Sequence, residues 1–166
     1  MRMERKATAT PERPAALRIR PARAGDCAAL TALVRGSSAY AGRYRRIVEA
    51  VTITPEQLAR DALRVGECGG RLAGFYSLVC RDADAELDYL FVDDALQGAG
   101  IGAALFRHML GEAAARGFRA VTIVAHPPAR GFYERMGARV CGEKAPAGRV
   151  TWTRPVLVVA TPSAGV

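Results

Sequence analysis

Apolar and polar residues alternate along Leu17-Arg18-Ile19-Arg20, the period of two that half-buries a strand, and Pro21 closes the run. From Asp26 the spacing changes. Cys27, Leu30 and Val34 recur at helical intervals, Gly36-Ser37-Ser38 interrupts them, and a second short helix is predicted over residues 40–51. Thr54-Pro55-Glu56-Gln57 supplies an N-cap hydroxyl, a proline at the first helical position and a capping-box glutamine, so a third helix is expected to start there and run to Arg64. Residues 65–68 and 71–80 flank Gly69-Gly70, a pair that accepts the positive φ of a primed turn, and predict a hairpin. Alternation returns over residues 85–92, with Leu87, Tyr89 and Phe91 expected on one face and Glu86, Asp88, Leu90 and Val92 on the other.

Past a glycine-rich stretch, Ile101, Ala104, Leu105, His108, Met109 and Glu112 share one helical stripe, apolar except at His108 and Glu112, and Gly117 is positioned to end it. His108 on that stripe reads as a hydrogen-bonded core residue rather than a catalyst. A buried strand over 120–124 follows, then a short helix opened by Pro128 and stopped by Gly137, then strands over 138–141 and 153–160. About seven strands and four helices, with hairpins early and a strand-helix-strand crossover in the middle, predict an α/β fold of the mixed α+β kind: one mixed sheet flanked by helices. Residues 1–16 lack periodicity and are expected to be a flexible leader, 17–160 a single domain and 161–166 a tail.

Composition narrows the partners only slightly. A chain of 166 residues, 50% hydrophobic and 24% charged, suits one globular domain with one sizeable core. The net charge of +8 comes almost wholly from scattered arginines, Lys6 and Lys144 being the only lysines. Such a surface favours nucleic acid, an acidic membrane or a polyanionic small molecule, but no basic segment interleaved with aromatics supplies nucleic-acid stacking, so no nucleic acid is expected. Cys27, Cys68, Cys80 and Cys141 form no C-x-x-C pair, and no histidine is spaced to complete a zinc site, so reduced thiols and no metal are expected. No run of about 18 apolar residues exists and the N-terminal residues carry charges and prolines, so the expectation is a cytoplasmic protein with no membrane attachment.

The informative segment is Gln97-Gly98-Ala99-Gly100-Ile101-Gly102, lying between a strand that ends at Val92 and a helix that opens near Gly100. Glycines there let backbone N–H groups approach phosphate oxygens at a helix N-terminus, and a diphosphate is the natural ligand. Gly98, Gly100 and Ala103 also satisfy the dinucleotide pattern G-x-G-x-x-A. That pattern wants its first glycine directly after the strand and an acid about 20 residues on. Five residues intervene here and His126 stands at the next strand's end, while no lysine follows the glycines to make a triphosphate loop.

Taken together, Glu86-Leu87-Asp88-Tyr89-Leu90-Phe91-Val92, the glycine turn and Phe132-Tyr133-Glu134-Arg135-Met136-Gly137-Ala138 resemble the GCN5-related N-acetyltransferase (GNAT) family in order and spacing. The resemblance covers roughly residues 17–160 in element order, and its specific part is 86–138. It implies acetyl-CoA as co-substrate, with the pyrophosphate on Gln97, Gly98, Ala99, Gly100, Ile101 and Gly102 and with Ala103 nearby. It implies too that pantetheine pairs with Leu90, Phe91 and Val92 as a false strand, where the Val92 N–H would face the thioester oxygen. One departure is that 125–133 reads Ala-His-Pro-Pro-Ala-Arg-Gly-Phe-Tyr, with His126 where the family often has an asparagine.

Acetyl transfer needs a proton taken from an ammonium and one returned to a thiolate. Tyr133 stands where the family keeps its general acid, and a phenol near its usual pKa of about 10 can donate at neutral pH; the alternative is that Phe132-Tyr133 only closes the core. Glu86 precedes Gly100 by the spacing at which some members place the general base, with Asp88 as the alternate, and both also read as strand carboxylates able to hold a cationic amine. Tyr40, Tyr44 and Tyr76 are the candidates for the acceptor pocket, since the first helices and third strand line it in the family. The expected reaction is N-acetylation of a primary amine on a small molecule, set against a protein lysine or amino terminus and against a non-catalytic acyl-CoA-binding module. A homodimer is left open.

Overall fold

The computed structural model describes residues 15–163; most of the expected leader and the end of the tail lie outside the described residues. Seven strands, β1 (Leu17–Pro21), β2 (Ala62–Cys68), β3 (Arg71–Arg81), β4 (Asp84–Val92), β5 (Ala120–Val124), β6 (Arg139–Lys144) and β7 (Arg154–Ala160), form one mixed sheet in the order β1-β2-β3-β4-β5-β7-β6. Five α-helices accompany it among the described residues: α1 (Cys27–Arg35), α2 (Arg45–Glu49), α3 (Pro55–Arg60), α4 (Ile101–Ala115) and α5 (Arg130–Arg135). Only β4 and β5 are parallel, as the single crossover through α4 demands, and every other neighbouring pair is antiparallel.

Local chemistry sets most boundaries. The Thr54 hydroxyl accepts the Gln57 N–H at 3.3 Å and Pro55 opens α3, as the capping signature predicts. The helix stops at Arg60 rather than Arg64, because Asp61 is already extended and Ala62, Leu63 and Arg64 pair with Leu78, Ser77 and Tyr76. The stretch 40–51 is mostly not α-helical: two 3-10 turns, Ser38–Tyr40 and Gly42–Tyr44, precede the five-residue α2. Helix α4 ends in a Schellman motif: Gly117, at φ +89°, donates to Ala114 O, and Phe118 donates to Ala113 O. The same pair of bonds, Gly137 to Glu134 O and Ala138 to Tyr133 O, ends α5.

Two apolar clusters cover the two faces of the sheet. Leu105, Phe106 and Met109 of α4 pack with Tyr76, Leu78, Leu87 and Val121 on one face. Leu30 and Val34 of α1 and Val48 of α2 pack with Val65, Phe75 and Phe91 on the other. The stripe α4 buries is Ile101, Leu105, Phe106, Met109 and Ala113, rotated from the expected one. His108 is a correction: it is exposed at the helix margin, although its Nδ1 shares a 2.9 Å hydrogen bond with the Tyr76 hydroxyl. Glu112 points to the helix border too, where it holds Arg64 and Arg116 at 2.8 Å each.

Candidate active site

Strand β4 carries one residue too many for β3. Leu78 pairs with Leu87 and Ser77 with Tyr89, so Asp88 is a bulge with no partner. Because side chains alternate with a period of two, the extra residue reverses the phase of everything after it. Leu87 therefore faces α4, while Tyr89 and Phe91 face α1 and α2, and Leu90 and Val92 return to the α4 side. This corrects the uniform alternation expected from the sequence: Glu86 lines the same cleft as Tyr89 and Phe91, not the face of Val92.

Past the bulge β4 leaves β5, the only register pair between them being Glu86 with Thr122. The Asp93 N–H donates to Ala73 O at 2.8 Å, which makes Gly74–Val92 a pair whose own N–H and C=O groups point away from β3. Two residues back, Tyr76–Leu90 has the same character. The N–H groups of Leu90 and Val92 thus face the gap. Gly74 permits this close fit, since a Cβ there would lie 2.5 Å from Phe91 O.

The glycine turn closes one end of the gap. Gly98 and Gly100 adopt φ of +80° and +79°, a left-handed conformation open to glycine at little cost, and a Cβ on either would meet nothing within 4 Å. No side chain caps α4, and its first internal bond is from Ala104 N–H to Gly100 O at 3.0 Å, so the N–H groups of Ile101, Gly102 and Ala103 lack helical acceptors. Ala99 is exposed between the two glycines. Gln97 anchors the turn by donating from Nε2 to Val92 O at 3.1 Å. A strip of N–H donors without helical acceptors at the start of a 15-residue helix fits an anionic diphosphate.

Two cavities meet beneath the open end of β4. The first, about 330 Å³, is lined by Leu90, Val92, Gln97, Gly102, Phe132 and Tyr133. The second, about 280 Å³, is lined by Glu86, Tyr89, Lys144, Trp152 and Arg154. Tyr40, Leu87, Asp88, Phe91, Val124 and His126 border both and form the junction.

Tyr133 is 8% exposed and packs edge-on to Phe132, with ring centroids 5.3 Å apart. Burial, with Tyr40 adding to it, holds its phenol well above the ordinary tyrosine value, so the proton stays on at neutral pH. Asp88 is exposed at the cleft, where the protein around it still shields it partly from solvent and the Glu86 and Asp61 carboxylates repel its charge. Both effects raise its pKa. Burial pushes Tyr40 up to about 12.

His126 is buried and stacked on Tyr40 at 4.0 Å, with Tyr44 edge-on at 4.5 Å. Its Nε2 lies 2.7 Å from Ala39 O, and since a carbonyl only accepts, Nε2 carries the hydrogen and Nδ1 is left with a lone pair and no partner. Burial lowers its pKa, and the bond to Ala39 offsets this only in part.

Of the three tyrosines expected at the acceptor pocket, only Tyr40 borders the cavities under β4. Tyr44 stands behind the wall, edge-on to Trp152 at 4.7 Å and to His126. Tyr76 is a correction: it is fully buried on the α4 side of the sheet, its hydroxyl bonded to His108, because the helix lies over that face of β3. Trp152, Arg154 and Lys144 carried no signal in the sequence beyond Trp152 being the sole tryptophan. No group of three or more His, Cys, Asp or Glu among the described residues could hold a metal ion. No helix among them is long and apolar enough to cross a membrane.

Residues 52–154 match the family model described as an acetyltransferase (GNAT) domain. No curated protein matches the chain. Among solved structures, the ribosomal-protein-S18-alanine N-acetyltransferase from Escherichia coli superposes with a TM-score of 0.68 at 18% identity, over 90% of this chain and 97% of that one. PaiA N-acetyltransferase from Thermoplasma acidophilum, in complex with coenzyme A, does so with a TM-score of 0.67 at 17% identity, over 87% and 99%. Aminoglycoside 6'-N-acetyltransferase complexed with coenzyme A gives 0.67 at 16% identity, over 89% and 99%. At such identities the likeness is one of fold, whereas the family match spans most of the chain and includes β4, the glycine turn and α5. The chain belongs to the GNAT acetyltransferase family and is an acetyl-CoA-dependent N-acetyltransferase.

Proposed function

We propose that the protein transfers acetyl from acetyl-CoA to a primary amine of a small molecule by direct attack on the thioester. The observation that carries this is the junction of the two cavities under the unpaired end of β4, with Tyr133 on one side and the Asp88 and Glu86 carboxylates on the other. Gln97 to Gly102, with Ala103, hold the pyrophosphate through the free N–H groups at the start of α4. Leu90, Phe91 and Val92 flank the pantetheine arm, and the N–H groups of Leu90 and Val92 are its backbone partners.

In the reaction the ammonium first gives up a proton, the free amine nitrogen bonds to the thioester carbon, the nitrogen loses a second proton as the C–S bond breaks, and the thiolate gains one, so that one proton is released overall. The Val92 N–H stabilises charge developing on the carbonyl oxygen. Tyr133, kept protonated by burial, supplies the thiolate's proton. Glu86 and Asp88 are the candidate bases; Asp88 borders both cavities and Glu86 only the second, which favours Asp88 for contact with the reacting nitrogen. Acetyl-CoA is a cytoplasmic metabolite, and the four cysteines are unpaired, in keeping with a reducing compartment.

Calorimetry with CoA and free-thiol release from acetyl-CoA over an amine panel test the reading. Tyr133→Phe is expected to lower kcat by about 10²–10⁴-fold with CoA affinity retained; an unchanged kcat, measured where chemistry limits the rate, removes Tyr133 as the acid. Failure to bind CoA would sink the whole assignment. CoA binding without turnover of any amine points to a non-catalytic acyl-CoA module, and turnover of peptide amines alone to a protein substrate.

A further inference from the structure

The second cavity contains charges of both signs that do not neutralise each other. Glu86, Asp88, Lys144 and Arg154 all line it, and none of the four takes part in an ion pair among the described residues. The Arg154 Nε and the Trp152 Nε1 are buried donors without acceptors, and Trp152 is only 7% exposed. Buried donors are almost always satisfied in folded proteins, and the two side chains that carry these unpaired donors both line the cleft, which points to an acceptor entering there. The guanidinium fork beside an indole N–H suits a planar carboxylate, which can take parallel bonds from arginine.

We infer that the acceptor is a small zwitterion, an amine that also bears a carboxylate, with the carboxylate on Arg154 and Trp152 and the amino group toward Asp88 at the junction. The inference rests on the acetyl-transfer reading and names its substrate class. Direction follows from the lining: Lys144, Trp152 and Arg154 border only the second cavity, whereas Asp88 borders both. A carboxylate held at the far end therefore presents the amine to the thioester. The cavity, about 280 Å³, lies just under the roughly 300–1,000 Å³ of sites for drug-sized ligands, a volume suited to a molecule of amino-acid size. A polycation would meet Lys144 and Arg154, and a simple apolar amine would leave both orphan donors unpaired.

The test compares matched pairs, each an α-amino acid and the amine lacking its carboxylate, by thiol release from acetyl-CoA. The carboxylate-bearing member is expected to show kcat/KM at least about tenfold higher, mainly through KM, as one charge-assisted contact allows. Arg154→Gln is expected to bring that ratio close to one with CoA affinity retained in calorimetry. Equal or faster turnover of the carboxylate-free amines, or a ratio unmoved in Arg154→Gln, overturns the proposal. Should no amine turn over, the transfer reading fails, and calorimetry of the amino acids on the CoA-saturated protein decides the acceptor site separately. Binding lost in Arg154→Gln sustains it, and no binding overturns it.

Discussion

His126 is a neutral imidazole by force of its surroundings: one nitrogen is tied to Ala39 O, the other has a lone pair and no partner, and the ring is stacked on Tyr40 with Tyr44 edge-on. Burial depresses its pKa below the ordinary value, so there is a pH window in which the unfolded chain binds a proton that the folded one does not. Stability rises with pH wherever the unfolded state holds more protons, so this contribution is full above about pH 6.5 and is lost as pH falls from there toward the folded-state value. We expect the melting temperature to drop between pH 7 and pH 5.5, and the drop to be smaller in His126→Asn. Parallel profiles for the two proteins would show that the ring titrates freely in the fold. Tyr133 and His126 were singled out in the sequence by a motif and a motif's gap, and both border the first cavity. Trp152 and Arg154 were not, since nothing in 152–154 distinguishes a cleft wall from a strand entry until β7 is laid beside β5 and β6.

Elements follow the same division between local and long-range causes. The Thr54 cap, the Gly69-Gly70 turn and the stops at Gly117 and Gly137 are local, and each is where the residue pattern puts it. The Asp88 bulge belongs to the pairing of two strands, and alternation along β4 alone reads as unbroken. The face of α4 was misjudged for a related reason. Periodicity brought Glu112 onto the stripe, but packing turns the helix toward Phe106 and Ala113, and Glu112 becomes a clamp between β2 and α4 through Arg64. Both partners of that bridge keep only 18–19% of their side-chain surface exposed. Its coupling in a double-mutant cycle with Glu112→Ala and Arg64→Ala should thus exceed the ~0.2–1 kcal/mol of exposed pairs and fall short of the ~3–5 kcal/mol of breaking a buried one. Chemical denaturation measures it, and a coupling near zero would reduce the clamp to a surface contact.

At the scale of the molecule, strands β1 to β4 and strands β5 to β7 are two antiparallel blocks joined in the sheet by one register pair, Glu86–Thr122, with α4 packed against both β4 and β5. The order of the elements was legible in the sequence, whereas the interleaving of β7 between β5 and β6 was not, because it is fixed by pairings between residues far apart in the chain. In the gap that this arrangement leaves, the N–H groups of Leu90 and Val92 face away from β3 and have no register partner on β5. A ligand whose pantetheine arm fills the gap should bind only the folded state and couple the blocks. At a CoA concentration 100 times Kd, linkage contributes about 2.7 kcal/mol, and at roughly 2–4 °C per kcal/mol for a chain of this size the melting temperature should rise by roughly 5–10 °C. Adenosine 3',5'-bisphosphate, which lacks the arm, separates the two halves of the claim. It should raise the melting temperature less and leave amide exchange at Leu90 and Val92 fast, whereas CoA should slow exchange at both. Equal protection by the two ligands, or a rise with CoA that leaves those amides unprotected, would put the arm somewhere other than the gap.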